Sequence, residues 1–291
     1  MPVRYSVKDV EAITGIAAPL LRTWEKRYGF PNPQRKENKF RTYSDKELVR
    51  LLQFQILNKK GYKISELVKY SEEEIRKLIE EQLLKDNHFP DKETLYYVLT
   101  ELNEKKFNEI VSKSIRLTGF ENTFENVLFP FLRYVGDLWF MKIISPVHEH
   151  FVSNLIRQKL FRAIDDLTIP EKYQDDRVWI FFLNAYEMHE IALMYYYYLT
   201  KKAGKRAIYL GQCVPVEDLI NAARFYENKT LITVFTAPLK NITLEGYIEH
   251  LRKNIKNSTL YFSGSPDLIS DKYIEWNHYF KNPDEFKKLI I

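Results

Sequence analysis

The chain has 291 residues, enough to bury two or three domain cores, and its formal charge of +5 is unevenly spread. Residues 1–70 hold 15 Lys or Arg against 7 Asp or Glu, a local balance of +8, so the remainder sums to about −3, and a polyanionic partner is expected for the N-terminal part alone. The single cysteine, Cys213, excludes a disulfide framework and a multi-thiolate metal site, which points to a reducing, cytoplasmic compartment. The opening MPVRYSVKDVEAITG lacks the apolar core of a signal peptide, and no run approaches the roughly 20 apolar residues of a membrane span, so no membrane association is expected.

SVKDVEAITGIAAPLLRTWEKRYG reads as two short helices around a turn at Thr14-Gly15, with Pro19 in the first turn of the second. Val7, Val10 and Ile13 stripe the first helix and Leu20, Leu21 and Trp24 the second, which together make a helix-turn-helix candidate. FPNPQRKENKFRTYS then reads as a small β-hairpin or wing. Arg22, Lys26, Arg27, Arg35, Lys39 and Arg41 concentrate on the second helix and the wing, where they suit DNA phosphates. A basic solvated surface is the plainer alternative. Trp24 and Tyr28 fall on one helical face and read as supports rather than readers of DNA. Ser44 with Glu47 makes a capping-box start to a helix bearing Leu48, Leu51, Leu52, Ile56 and Leu57, and a break at Lys59-Lys60-Gly61 precedes further helix.

From about Pro90 to Leu167 the apolar residues recur at helical spacing, as in TLYYVLTELNEKKFNEIV and FENVLFPFLRYVGDLW, which predicts a bundle of about four helices. Beyond Pro170 the pattern alternates. VWIFFL, AIYLG, LITVFTA and TLYFSG read as buried strands between helices, one of them the aromatic MYYYYL at 194–199, and this implies an α/β domain with a mostly parallel sheet. The fold class expected is therefore multidomain: a winged helix-turn-helix over 1–75, a linker or helical extension over 76–89, a four-helix cap over 90–169, and a Rossmann-like domain over 170–291.

YSVKDVEAITGIAAPLLRTWEKRYGFPNPQR followed by RTYSDKELVRLL closely resembles the DNA-binding domain of the MerR family of transcription regulators, over about residues 4–75. The resemblance implies a dimer on palindromic promoter DNA, with the recognition helix in the major groove and Arg22, Arg41 and Tyr43 holding phosphates or the wing. Asn38 or Lys39 replaces the glycine often found at the wing tip, and Asn tolerates positive φ well enough for the wing to form.

WFMKIISPVHEH contains Trp139, Glu149 and His150 as W-x9-E-H, which resembles the helical cap of cobalamin modules in MerR-type light- and cobalamin-responsive repressors of carotenoid genes. By that resemblance the tryptophan covers the upper, adenosyl face of the cofactor and the Glu-His pair approaches it. Pro146 is expected to interrupt the helix between them. Glu187 and His189 follow the first strand as E-x-H, similar to the acid-x-His-x-x-Gly motif whose histidine ligates cobalt from below, with the carboxylate orienting the imidazole. Four positions depart from that pattern. Ala192 stands for Gly, Phe235 for a serine near the nucleotide tail, Ser265 for the second of two glycines, and Phe140 for a histidine of the light-sensing members. Another reading makes His189 a hydrogen-bonding loop residue, and Trp139 and His150 packing groups, in a sensor without the cofactor. His148, one residue off the motif, is expected to be exposed. Zinc held by His148, His150 and His189 is disfavoured, because i, i+2 residues of a helix do not face together.

The function expected is a DNA-binding regulator, a repressor, that senses adenosylcobalamin or a related signal and changes its assembly, as dimer or tetramer, on a promoter palindrome. The alternative is a cobalamin-independent regulator controlled by another small molecule or a protein antirepressor. No substrate domain is left over beside head, cap and α/β module, so an enzyme is not expected.

Overall fold

The computed structural model describes residues 4–35, 40–85, 90, 92–140, 144–173, 175–239, 242–264 and 278–291, with the side chains of 35, 80, 83–85, 137 and 140 outside the described set. The chain divides into two compact units, 1–155 and 156–291, and the division falls inside one helix, Pro146–Asp165.

The first unit begins with a three-stranded sheet. Its central strand β3 (Arg41–Ser44) pairs antiparallel with β1 (Arg4–Ser6) on one side and β2 (Gln34–Arg35) on the other. Helix α1 (Val7–Thr14) starts where Ser6 Oγ accepts from the Asp9 amide while the Asp9 carboxylate accepts from the Ser6 amide. It stops at Gly15, whose φ of 70° is a left-handed turn that a Cβ would disfavour. Helix α2 (Ala18–Tyr28) follows with Pro19 in its first turn and turns Leu21 and Trp24 into the core. The Ser44–Glu47 capping box opens α3 (Asp45–Lys59), whose Leu48, Leu51, Leu52, Phe54, Ile56 and Leu57 are buried. Two further helices, α4 (Ile64–Leu67) and α5 (Glu72–Lys85), complete the head.

Still within the first unit, α6 (Lys92–Thr100) buries every residue from Glu93 to Leu99, so it is a core helix rather than an amphipathic one. It is followed by α7 (Glu104–Thr118), capped by Asn103, and then by α8 (Phe120–Thr123), which passes through a π-helical turn over Phe124–Leu128 into α9 (Phe129–Phe140). The wide turn comes directly before Pro130, whose ring nitrogen cannot donate to the helix. Helix α10 (Pro146–Asp165) starts on Pro146, so Trp139 and Glu149 stand on successive helices, as expected from the proline.

The second unit is built on a parallel sheet in the order β5-β4-β6-β7, where β4 is Val178–Asn184, β5 Arg206–Val214, β6 Lys229–Phe235 and β7 Ser258–Gly264. All residues of β4 and β6 are buried, as continuous apolar runs covered on both faces require. The strands are linked by α11 (Ile191–Lys202), α12 (Val216–Ala223) and α13 (Leu244–Asn254), and α14 (Pro283–Ile290) lies near the end of the chain. Val178, Ile180, Phe182, Leu231 and Phe235 pack with Leu219, Ile248 and Leu251 in one layer. The tyrosine run of α11 supplies other contacts: Tyr197 meets Phe181, and Tyr196 meets Phe280 and Phe286. From β4 the chain moves outward to β5 and then returns to β6 on the other side. The strand order therefore reverses between β4 and β6, and the crevice beyond their carboxyl ends is where such sheets take ligands.

Candidate functional site

On the basic head, Arg22, Lys26 and Arg27 are exposed on α2 while Leu21 and Trp24 hold the opposite side of the helix in the core. The spacing of 22 and 26 puts those two cations one above the other on the solvent face, the arrangement a recognition helix needs to meet a phosphate backbone. Arg41 differs: its Nε donates to Glu25 Oε2 at 2.7 Å, and this hydrogen bond raises its pKa against the effect of burial. The pair joins wing to recognition helix. Tyr43 is 1% exposed, so of the two expected roles it has the burial of a wing support and not of a phosphate ligand. The Arg35 side chain and residues 38 and 39 at the wing tip lie outside the described residues.

At the carboxyl end of β4, Glu187 is 2% exposed and accepts five hydrogen bonds. Its Oε1 takes the amides of Met188 and His189 at 2.9 Å and faces His189 Nδ1 at 2.6 Å. Its Oε2 takes the amide of Thr236 at 3.1 Å and the hydroxyl at 2.5 Å, and Thr236 Oγ1 also lies 3.1 Å from His189 Nδ1. Burial pushes the Glu187 carboxyl up, but the hydrogen bonds from His189 and Thr236 outweigh it and hold the pKa at about 2. An ionised carboxylate thus fixes one nitrogen of an imidazole whose side chain is 66% exposed. Nε2 is then the ring nitrogen with the chemistry to ligate a metal. Thr236 directly follows β6, so the three side chains come from the two loops that flank the strand-order reversal.

Sequence reasoning missed Thr236 and misread its neighbour. Phe235 was set against a serine that relatives place near the nucleotide tail. It is 1% exposed and packs edge-on between Tyr247 and Phe262 in the core, because it ends β6 on the same face as Leu231, while the next residue brings its hydroxyl to Glu187. The usable signal was the hydroxyl in VFTAP, one position from where it was sought. Glu190 was also missed. It is buried, accepts from Arg157 Nε and Tyr209 Oη at 2.9 Å each, and offers its carbonyl to Met194 at the start of α11, so it anchors the loop just after His189. Ala192 sits half-buried in the first turn of α11, and Ser265 lies outside the described residues.

In the cap, Trp139 is 45% exposed near the end of α9. Glu149 and His150 pair with each other in the first turn of α10, Nδ1 to Oε2 at 2.7 Å. The side chain of Phe140 is outside the described set. His148 is half-buried rather than exposed: its Nδ1 lies 3.2 Å from Ser145 Oγ, and burial lowers its pKa despite the nearby Asp45 carboxylate. Among the described residues no group of three or more His, Cys, Asp or Glu side chains is placed to hold a metal ion, and no helix is long and apolar enough to cross a membrane.

A family model for MerR HTH family regulatory proteins matches residues 5–82. The chain carries a MerR-type helix-turn-helix domain at its N-terminal part. A second model, the B12 binding domain, matches residues 91–163, the helical segment that carries Trp139, Glu149 and His150. Two curated relatives are HTH-type transcriptional repressors of Myxococcus xanthus. CarH is 25% identical over 222 residues, covering 74% of this chain and 73% of CarH. CarA is 27% identical over 164 residues, 56% of this chain and 53% of CarA, so the chain spans about half of that relative's length. Among solved structures, the monomethylamine corrinoid protein of Methanosarcina barkeri aligns with a TM-score of 0.54 at 17% identity, over 66% of this chain and 92% of that protein. That likeness establishes the fold, a helical segment followed by a Rossmann-like domain.

Proposed function

We propose that this protein is a MerR-type transcriptional repressor whose C-terminal module takes adenosylcobalamin, with His189 as the lower cobalt ligand. The observation that carries the reading is the Glu187–His189–Thr236 constellation at the strand-order reversal. The donor set fits the cofactor. Cobalt is held by one imidazole nitrogen while a hydrogen bond fixes the other, and His189 has such a bond from Nδ1 to Glu187. Tyr186 and Met188, 60% and 64% exposed beside it, offer apolar surface for the broad face of a corrin. When bound, the group would supply a cobalt centre and its cobalt–carbon bond. The chain's own residues hold and tune. Glu187, ionised well below neutral pH, keeps the proton of the imidazole on Nδ1 and so leaves Nε2 basic. Trp139 would wall the adenosyl side, and the Glu149–His150 pair would meet its hydroxyl groups.

On the DNA side, Arg22, Lys26 and Arg27, with Arg35, Lys39 and Arg41 of the wing, would bind backbone phosphates of a promoter palindrome, while Tyr43 supports the wing. A palindrome calls for at least a dimer, and a tetramer would present more heads, so that linked binding raises operator affinity without altering any head. Ligand would act by setting that assembly; an antirepressor protein docked on the module would act on the same equilibrium. We assign the division 1–75, 76–89, 90–169 and 170–291 to head, linker, cap and sheet domain, no catalytic step, and a cytoplasmic location. CarH and CarA are repressors by name, which favours regulation over catalysis.

The test is a titration of the full chain with adenosylcobalamin in the dark, followed by absorption spectrum and mass, beside His189→Ala. Stoichiometric binding with a spectrum that changes in the variant is expected. A chain that remains colourless with excess cofactor would sink the reading.

A further inference from the structure

The two helices that carry the candidate cofactor residues of the cap also carry the residues that hold the DNA head. Tyr134 lies on α9, five positions before Trp139, and its hydroxyl donates to the Ile13 carbonyl at 2.5 Å. That carbonyl belongs to the last turn of α1, where a helix leaves its acceptors unpaired, and it stands at the turn that aims recognition helix α2. Tyr134 is itself held in place. Its ring meets Tyr96 edge-on at 5.9 Å, and Lys92 Nζ sits 4.8 Å from the ring centre.

A second contact reaches the same turn. Glu93 of α6 is 4% exposed, ion-pairs with Lys59 of α3 at 2.9 Å, and brings Oε1 to 3.6 Å from where a Cβ on Gly15 would stand. Gln53 of α3 donates to Tyr97 of α6 alongside. At the start of α10, half-buried His148 lies near Asp45, which opens α3 and accepts from Tyr5 of β1. Cap and head therefore form one polar and aromatic interface inside the first unit. The interface leaves Arg22, Lys26 and Arg27 exposed, so docking does not block DNA.

We propose that Tyr134 and Glu93 latch the cap onto the helix-turn-helix turn, and that the cap acts on DNA affinity through this contact within a single chain. The latch preorganises the head: a recognition helix already ordered in the free chain loses less freedom on binding. Because Trp139 shares α9 with Tyr134, an occupant of the cap that shifts α9 changes the latch directly, in addition to any change of assembly. This second step rests on the proposed cofactor reading. The latch itself does not.

The test uses the full chain and a palindromic duplex that it selects from random DNA. Tyr134→Phe removes one hydroxyl and keeps the ring; Glu93→Gln keeps the shape and removes the charge. Without any added ligand, Tyr134→Phe is expected to weaken duplex binding about five- to tenfold, the effect of one hydrogen bond of ordinary strength. Circular dichroism should be unchanged, and amide exchange should quicken at residues 15–18. Affinity within twofold of the parent chain in both variants would overturn the latch. If either variant melts early, exchange at residues 15–18 measured well below its melting point decides instead, and unchanged protection there overturns the latch. With adenosylcobalamin, the ratio of affinities with and without cofactor should move toward one in Tyr134→Phe. A parent chain that binds no cobalamin would overturn the cofactor reading, and the ligand-free comparison would then decide the latch by itself.

Discussion

Replacing Thr236 by Val tests the candidate site through stability, without any cofactor. Valine keeps the volume and branching of threonine, so the change removes the hydroxyl bond to Glu187 at 2.5 Å and spares the amide bond at 3.1 Å. Glu187 is ionised and almost wholly buried, and a hydrogen bond to such a group contributes about 2 kcal/mol. The C-terminal unit should melt about 5 °C lower. A pH dependence accompanies the loss. The folded pKa of Glu187 is about 2, below the ordinary carboxylate value of about 4.3, so its ionisation stabilises the fold fully above that ordinary value. This contribution, about 3 kcal/mol in the parent chain at about 1.4 kcal/mol per unit, disappears as pH falls from about 5 toward 2. With fewer donors the folded pKa rises in Thr236→Val, and the loss over the same interval shrinks. Urea unfolding of the full chain at a series of pH values, followed by tryptophan fluorescence, measures both quantities, since Trp179 is buried in β4, the strand that leads into the site. Equal stabilities within about 0.5 kcal/mol, the resolution of such comparisons, together with parallel pH curves would refute the network as described.

Glu190→Ala leaves Arg157 without its carboxylate and Tyr209 without its acceptor; with Arg157 25% exposed, a cost of about 2 kcal/mol is expected in the same unfolding assay, and a neutral outcome would mean that the loop after His189 is held by other groups. Lys26→Ala on the exposed side of α2 should weaken duplex binding alike for selected and scrambled sequences and reduce the salt slope by about one, measured by fluorescence anisotropy from low to moderate salt; an unchanged slope would remove Lys26 from the phosphate contacts. The His189→Ala titration and the Tyr134→Phe affinity comparison complete the set, the first reading the ligand loop and the second the link to the head.

Much of this protein was written in local signals. The Ser6–Asp9 and Ser44–Glu47 capping boxes, the glycines that end α1 and α2, and Pro146 at the start of α10 each act over three or four residues, so the boundaries they set follow from the sequence. The central strands β4 and β6 were equally legible, because strands buried on both faces must be apolar throughout, whereas the edge strands β5 and β7, read as buried too, are only partly so. Basic residues on one short helix and its wing, and E-x-H after a buried strand, named the candidate sites for the same reason: the chemistry lies close together in the chain.

Tertiary structure alone decided which neighbours each of those groups meets. Thr236 stands 49 positions from Glu187 and reaches it only because β6 lies beside β4, so the sequence offered Phe235 as the notable residue when the hydroxyl next to it was the partner. Tyr134 meets Ile13 across 121 positions, a pairing that no periodicity encodes. His148 was expected in solvent because it stands one residue off the motif, but it is half-buried, with Nδ1 beside Ser145 Oγ. Sequence determines what each segment can form and which chemistry it carries. Only the packed chain determines which distant groups share a site, because hydrogen bonds act over about 3 Å and the chain path between the partners is far longer.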